Sequence, residues 1–205
     1  DSQVKEWKYW VANIREERKP DAPLPDAEPV AGAIKDTTHI AIIDKDGNIF
    51  DSTPSGGWIP GAVILGKTGI GMSIRGEQFW LDKTRAAQLR PRSRPRYTLT
   101  PSIVLRNGQP FMALGTPGGD NQDQTILQAF LNIVEFWPDW YPNLHEAFEW
   151  PRIQTLHLHG SFWPHNAGLN VLNVESAIAD AVINELKSRG HDVQVGAAVS
   201  VCCFE

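Results

Sequence analysis

The sequence predicts an α+β fold in which helices cover one or more antiparallel sheets, and three observations carry that prediction. Two apolar runs are each interrupted by a tight-turn pair, Asp46-Gly47 and Asn107-Gly108, and resume after it, as β-hairpins do. Two later stretches repeat apolar residues at spacings of three and four, the period of an amphipathic helix. Hairpins and helices interleave along the chain, and a layered arrangement of sheet and helix buries one face of each.

Each element follows in order. In residues 1–18, Val4, Trp7, Trp10, Val11 and Ile14 fit one helical stripe. Pro20, Pro23, Pro25 and Pro29 then make an irregular or extended connector. Ile40 to Ile43 is a β-branched strand, and Ile49 opens its return. STPSGGWIPG, residues 52–61, is turn chemistry, and GAVILGKTGIGM reads as a loop and strand. Its GKT lacks the preceding GxxxxG of a phosphate-binding loop and no GxGxxG is present, so the glycines do not make a nucleotide fingerprint. PSIVLRNGQPFMALG, residues 101–115, is the second hairpin.

The helical half comes next. TILQAFLNIVEF sets Ile126, Leu127, Phe130, Ile133, Val134 and Phe136 on roughly one side of a helix, with Asn121 or Asp123 near its start. LHEAFEW predicts a further short helix. SAIADAVINELKSRG predicts another, with Ser176 as cap, Gly190 as stop, and Ile178, Ala181, Val182 and Leu186 inward. DVQVGAAVSV returns to strand. The ending CCFE offers no closing element, so a partner strand is expected from elsewhere.

Composition narrows the function classes. The 205 residues carry 24 acidic and 19 basic side chains, a net charge of -5, which disfavours nucleic-acid binding. Arg90, Arg92, Arg94 and Arg96 alternate, as a solvated or subunit-facing charged face would. No apolar run approaches the roughly 18 residues of a membrane span, and DSQVKEWKYW is not a signal peptide. The redox compartment stays open. Cys202 and Cys203 are adjacent and neither clamp distant segments nor form a metal site by themselves. His157 and His159 share one face of an extended segment with His165 close behind, a pattern that favours structural hydrogen bonding over zinc. Neither a metal nor a cofactor is expected. FWPDWYP, with Trp137, Trp140 and Tyr141, reads as proline-bounded apolar packing.

Two stretches have catalytic potential. A threonine hydroxyl needs activation, and backbone cleavage just before Thr37 would supply it. The new α-amine, with a reference pKa of about 8, would act as a base beside its own hydroxyl. In GTPGGD, residues 115–120, Gly118 and Gly119 let consecutive backbone N–H groups approach a developing oxyanion without side-chain obstruction. Turn formation is the plainer reading of that glycine pair.

Taken together, TTHIAIIDKDGN, STPSGG, RPRYTLTPSIVLRNGQP and GTPGGDNQDQ resemble successive motifs of the small-subunit region of the γ-glutamyltranspeptidase (γ-glutamyltransferase) family. EFWPDWYPNLHEAFEWPRIQTLHLHGSFWPH resembles the following segment of its broader bacterial acylase-like branch. The resemblance implies a four-layer αββα N-terminal-nucleophile sandwich, completed by a large subunit from the same precursor. It implies that residues 1–36 end the large-subunit region and 37–205 form the small-subunit region, short at its C terminus. Thr37 would be the nucleophile, Ser55 the residue that orients it, and Gly118 and Gly119 the pair near the oxyanion and substrate backbone. A γ-glutamyl-like or other acyl amide would acylate Thr37, and water or an amine acceptor would take the acyl group.

The sequence also departs from the family's pattern. Gly57 stands where glutathione-processing members carry an asparagine that contacts the glutamyl group. Glu77 and Gln78 replace paired aspartates, one of which pairs with the substrate's amino group. Tyr97 and Thr98 replace two serines that contact the carboxylate end and the oxyanion, and Thr98 keeps a hydroxyl donor. The alternative implied by those departures is a catalytically inactive, N-terminal-nucleophile-like binding or structural subunit.

Overall fold

The structure is a computed structural model. It describes residues 37–57, 64–140 and 144–197, the side chains of 136–140 excepted. The helix expected in 1–18, the proline connector, the side chains of the aromatic interval and the cysteine pair lie outside the described residues.

Both hairpins form. Strand β1 (Ile40–Ile43) pairs antiparallel with β2 (Ile49–Ser52), with Ile43 opposite Ile49. The turn between them is built by Asp44. Its Oδ1 accepts from the Asp46 and Asn48 N–H groups, both at 2.9 Å, and its Oδ2 from Asn48 Nδ2 at 2.8 Å. These bonds, that of the Asn48 side chain foremost, hold the Asp44 carboxyl below its ordinary value. Strands β3 (Ser102–Arg106) and β4 (Gln109–Leu114) are joined by Asn107 and Gly108, whose φ angles of 54° and 76° are those of a two-residue type I′ turn. The two hairpins pack against each other through β2 and β4.

A 3-10 turn (Gly119–Asn121) leads into helix α1 (Gln122–Trp140), which packs against the short helix α2 (Leu144–Glu149). Ile133 and Ala147 form the core of that contact, and Met112 of β4 joins it, so the helices cover the second hairpin. The buried stripe of α1 is Gln122, Thr125, Ala129 and Ile133. Ile133 was expected there, but Leu127 and Val134 are 57% and 41% exposed, so the apolar face divides between two sides of the helix.

The third unit is a sheet in the order β5 (Ile153–Thr155), β6 (Val171–Glu175), β7 (Asp192–Gly196), antiparallel in its first pair and parallel in its second. Strands β5 and β6 had no counterpart in the sequence reading. The outer edge of β5 is satisfied by side chains of α1. Gln124 and Gln128, one helical turn apart, each exchange a donor and an acceptor with the backbone of Thr155 and Ile153 at 2.9–3.2 Å. Leu172, Val174 and Val193 of this sheet pack on Ile183 of helix α3 (Asp180–Ser188).

Helix α3 begins later than expected. Ser176 and Ile178 donate their N–H groups to the Gly196 and Glu175 carbonyls in a preceding turn, and Ala179, three residues after Ser176, holds the N-cap position, so Ser176 is no cap. The inward face is Ile178, Ile183 and Leu186, while Val182 is half exposed. Gly190, at φ 94°, does end the helix: its N–H reaches the Lys187 carbonyl and that of His191 the Leu186 carbonyl, a Schellman closure. The architecture is α+β, as predicted. Among the described residues no helix is long and apolar enough to cross a membrane.

Candidate active site

Five segments meet around the start of β1. The extended entry into this strand carries Thr37, and the turn after β2 brings Ser55 back beside it. Thr37 Oγ1 and Ser55 Oγ lie 2.7 Å apart, a hydrogen bond in which either hydroxyl is able to donate. The Thr38 N–H donates to the Pro54 carbonyl at 3.0 Å and fixes the two segments against each other. His39 bonds Thr53 Oγ1 through Nδ1 at 3.1 Å, with Asp51 3.8 Å away. Burial pushes the Asp51 carboxyl up, opposed by His39 and the Ser102 N–H. His39 therefore supports the strand.

The GTPGGD loop reaches this strand through Gly115. A Cβ on Gly115 would lie 2.3 Å from Cε1 and Nδ1 of His39, so the imidazole occupies the space that any other residue would fill. Three residues on, Gly118 and Gly119 adopt φ angles of 129° and 52° and lead into the 3-10 turn. The Gly118 carbonyl accepts from the Asn121 N–H at 2.9 Å, and the space beside Gly119 is open.

The fourth segment supplies a group that sequence reasoning missed. Arg75 heads a 3-10 turn (Arg75–Gln78), and its Nη2 donates to Ser55 Oγ in a short hydrogen bond. Its Nη1 donates to Thr98 Oγ1 at 3.2 Å, so one planar guanidinium joins Ser55, the neighbour of the expected nucleophile, to the expected oxyanion donor. Gln78 is fully buried. With its amide oxygen toward Arg75 it accepts from Nη1 at 3.0 Å and donates to the Arg96 carbonyl at 3.3 Å. The Phe162 ring lies against the guanidinium, 5.0 Å from its centroid. An arginine two positions before Glu77 carries no local signal, because Ser55, Thr98 and Phe162 are 20 to 87 residues away in the chain.

The remaining expected residues separate. Thr98 is buried, whereas Tyr97 is 65% exposed. Gly57, at φ 64°, has no room for a side chain: a Cβ would lie 2.2 Å from Ile74 Cγ1. Glu77 is half-buried near Arg75 and His165. Burial pushes its carboxyl above the ordinary glutamate range, against the pull of those two.

The segment 156–168 is clamped over this region. Asp120, next after the glycine pair, accepts from the Ser161 N–H at 2.7 Å and from the Ser161 hydroxyl, and pairs with Arg96 at 3.5 Å. Arg96 also donates to the His159 carbonyl at 2.5 Å, which sets it apart from the exposed Arg90, Arg92 and Arg94. His165 is buried, stacked on Trp80 at 4.1 Å, and bonded to the Gly160 and Phe79 carbonyls. His159 bonds the His165 carbonyl, and His157 accepts from the Asn170 N–H. All three histidines are engaged by backbone, and no group of three or more metal-ligating side chains occurs among the described residues.

Known proteins resemble this chain in sequence and fold. Residues 4–203 match the Gamma-glutamyltranspeptidase family. The chain is 34% identical over 161 residues to the glutathione hydrolase-like YwrD proenzyme of Bacillus subtilis (strain 168), covering 78% of this chain and 29% of that protein. It is 32% identical over 164 residues to the acylase ACY 1 proenzyme of Pseudomonas sp. (strain SE83), covering 79% and 26% respectively. The chain thus spans less than a third of the length of these curated relatives. Among solved structures, the γ-glutamyltranspeptidase of Pseudomonas nitroreducens complexed with L-DON superimposes with a TM-score of 0.59 at 25% identity, over 78% of this chain and 83% of that one.

Proposed function

The chain belongs to the γ-glutamyltranspeptidase family, and on that premise we propose that it is the small-subunit part of an amide hydrolase or acyltransferase working through a threonine acyl-enzyme. The observation that carries the reading is the 2.7 Å contact between Thr37 Oγ1 and Ser55 Oγ at the entry to β1. Cleavage between Asp36 and Thr37 frees the Thr37 amine, which takes the proton of the hydroxyl as Oγ1 attacks the amide carbonyl. The Gly118 and Gly119 N–H groups and the Thr98 hydroxyl stabilise the oxyanion. The amine product leaves with a proton, and water or an amine acceptor releases the acyl group from Thr37. Residues 1–36 belong to the large-subunit side of the cut, and the large subunit comes from the same precursor.

The acyl group follows from the departures. Ile74 fills the space where a side chain at position 57 would stand, and Tyr97 is exposed. Gln78, at one of the two positions that would pair with an amino group, is neutral and is spent on Arg75 and Arg96. The contacts that would select an α-ammonium group are thereby weakened, which favours acyl amides other than a free γ-glutamyl head. Names of two relatives, a glutathione hydrolase-like protein and an acylase, accord with that breadth.

The test uses the whole proenzyme. Intact mass identifies a product beginning at Thr37, and release of p-nitroaniline from γ-glutamyl- and glutaryl-p-nitroanilide measures turnover. Thr37→Ala is expected to abolish both cleavage and turnover, with glutaryl hydrolysed at least as well as γ-glutamyl. Turnover retained by Thr37→Ala would overturn the reading. A folded, uncut protein inactive on both amides would favour the inactive-subunit alternative.

A further inference from the structure

We infer that Arg75 is a positioning residue that fixes the polarity of the hydroxyls around the nucleophile. The inference rests on the Thr37 reading above and extends it to a residue outside the expected set. A guanidinium only donates hydrogen bonds, whereas a hydroxyl both donates and accepts. Because Arg75 Nη2 donates to Ser55 Oγ, one lone pair of that oxygen is occupied by a cation. The Ser55 proton is then directed to the remaining close partner, Thr37 Oγ1 at 2.7 Å. Thr37 Oγ1 becomes the acceptor in that contact, and its own proton stays free to pass to the Thr37 amine. The same cation donates to Thr98 Oγ1 through Nη1, so the Thr98 hydroxyl proton is likewise turned away from Arg75. Charge-assisted donation strengthens each hydroxyl as a donor in turn, as negative charge grows on Oγ1 before attack and on the carbonyl oxygen after it.

The surroundings of Arg75 favour positioning over substrate reading. Nη1 serves Thr98 and Gln78, and Nη2 serves Ser55. Nε is buried from solvent, so no edge of the guanidinium is left with two accessible donors for a carboxylate. Phe162 covers its face. Among the described residues no carboxylate lies within ion-pair distance of it, and Glu77 acts on it only at longer range. The charge is therefore held beside the hydroxyls rather than neutralised by a direct partner.

The test is a double-mutant cycle on turnover of glutaryl-p-nitroanilide by the matured full protein, with Arg75→Met, Arg75→Lys, Ser55→Ala and the two doubles. Arg75→Met is expected to lower kcat by about 10- to 100-fold, the size of one charge-assisted hydrogen bond in the transition state, with KM unchanged. Arg75→Lys is expected to recover part of that loss, because the ammonium still donates to Ser55. In the Ser55→Ala background each Arg75 substitution is expected to lose the part of its effect that passes through Ser55, while the part that passes through Thr98 remains. Effects that multiply independently overturn the inference, as does a raised KM with kcat unchanged, which would mark a substrate contact. If Arg75→Met fails to fold, as near-UV circular dichroism would reveal, the Arg75→Lys and Ser55→Ala cycle decides by the same criterion. Thr37→Ala separates the two levels. An active Thr37→Ala protein removes the nucleophile reading itself, while an inactive one with independent Arg75 and Ser55 effects removes only the relay.

Discussion

Gly57→Ala perturbs the turn after β2 in two separable ways. The first is local: Gly57 sits at φ 64°, and a left-handed backbone costs about 1–2 kcal/mol for a residue with a Cβ. The second is contact, because the new methyl would overlap Ile74 at 2.2 Å from Cγ1 and 2.4 Å from Cδ1. Forcing a methyl into filled space costs about 1–3 kcal/mol even after side chains shift. The sum is about 2–5 kcal/mol, a large fraction of the total stability of an ordinary domain. Ile74→Ala separates the terms, since it removes the obstructing atoms and leaves φ unchanged. The assay is urea unfolding of the assembled protein for the wild type, both single variants and the double. The double variant is expected to be more stable than the sum of the single losses by about 1–3 kcal/mol, the overlap term. Additive losses, to within about 0.5 kcal/mol, would refute the claim that Ile74 occupies the side-chain position of residue 57.

The same space-filling logic applies to Gly115→Ala, whose Cβ would meet the His39 ring at 2.3 Å. It is expected to lower the thermal midpoint and to slow turnover by displacing the strand that carries Thr37, with a Gly115→Ala/His39→Ala double variant recovering stability relative to the sum. Asp120→Ala removes two hydrogen bonds to Ser161 and the Arg96 pair. A loss of about 1.5–3 kcal/mol is expected, and hydrogen exchange should quicken first in residues 157–168, where unchanged protection would refute the clamp. For Glu77 the sign follows from its raised folded-state pKa: the folded protein binds the proton more tightly than the unfolded chain. The penalty is absent below the ordinary glutamate value and develops as pH rises through the raised one. Glu77→Gln is therefore expected to match the wild type in acid and exceed it in stability at neutral pH, as urea titrations at successive pH values would establish. A variant less stable at neutral pH than in acid, relative to wild type, would contradict this.

Local chemistry was legible in the sequence, and distant partnership was not. Asn107-Gly108 specified its turn because both residues tolerate positive φ, and Gly190 specified a helix stop for the same reason. Thr37, Ser55, Thr98 and the glycine pair are expected together from ordered motifs, and the fold sets Thr37 beside Ser55 and links Ser55 to Thr98 through Arg75. Arg75 escaped because its meaning lies in Ser55, Thr98 and Phe162, which only the fold assembles. Strands β5 and β6 escaped because polar Gln154 and Asn173 sit at buried positions. They bond each other at 3.2 Å, so burial is compensated, yet the alternation that announces a strand is lost. Helix α3 is expected too early because Ser176 is a good cap in isolation, whereas a turn carries the chain on to Ala179 before the helix begins. The face of α1 was misjudged for a further reason: apolar residues lie on two sides of it.

That second side bears on how the site works. The side of α1 packed within this chain includes Gln122 and Thr125, while Leu127, Leu131 and Val134 are 57%, 43% and 41% exposed. The hairpin that presents Thr37 behaves alike, with Ile40, Ile42, Ile43 and Phe50 all exposed by 43% or more. Such surfaces are costly in water at about 25 cal/mol per Å², and contiguous ones mark places where another protein surface packs. The large subunit in the proposed function is the occupant that accords with these faces. Thr37 stands at the entry to a strand that is paired with β2, and among the described residues it is fixed there by the Thr38 bond to Pro54, the Ser55 contact and His39 in its glycine recess. Those tethers aim the hydroxyl, but they do not cover the strand that bears it. Rigidity at Thr37 then depends on packing from outside as well as on Arg75 and Ser55 within. On this reasoning, loosening the apolar face of β1 should lower kcat even with every polar contact of the site intact.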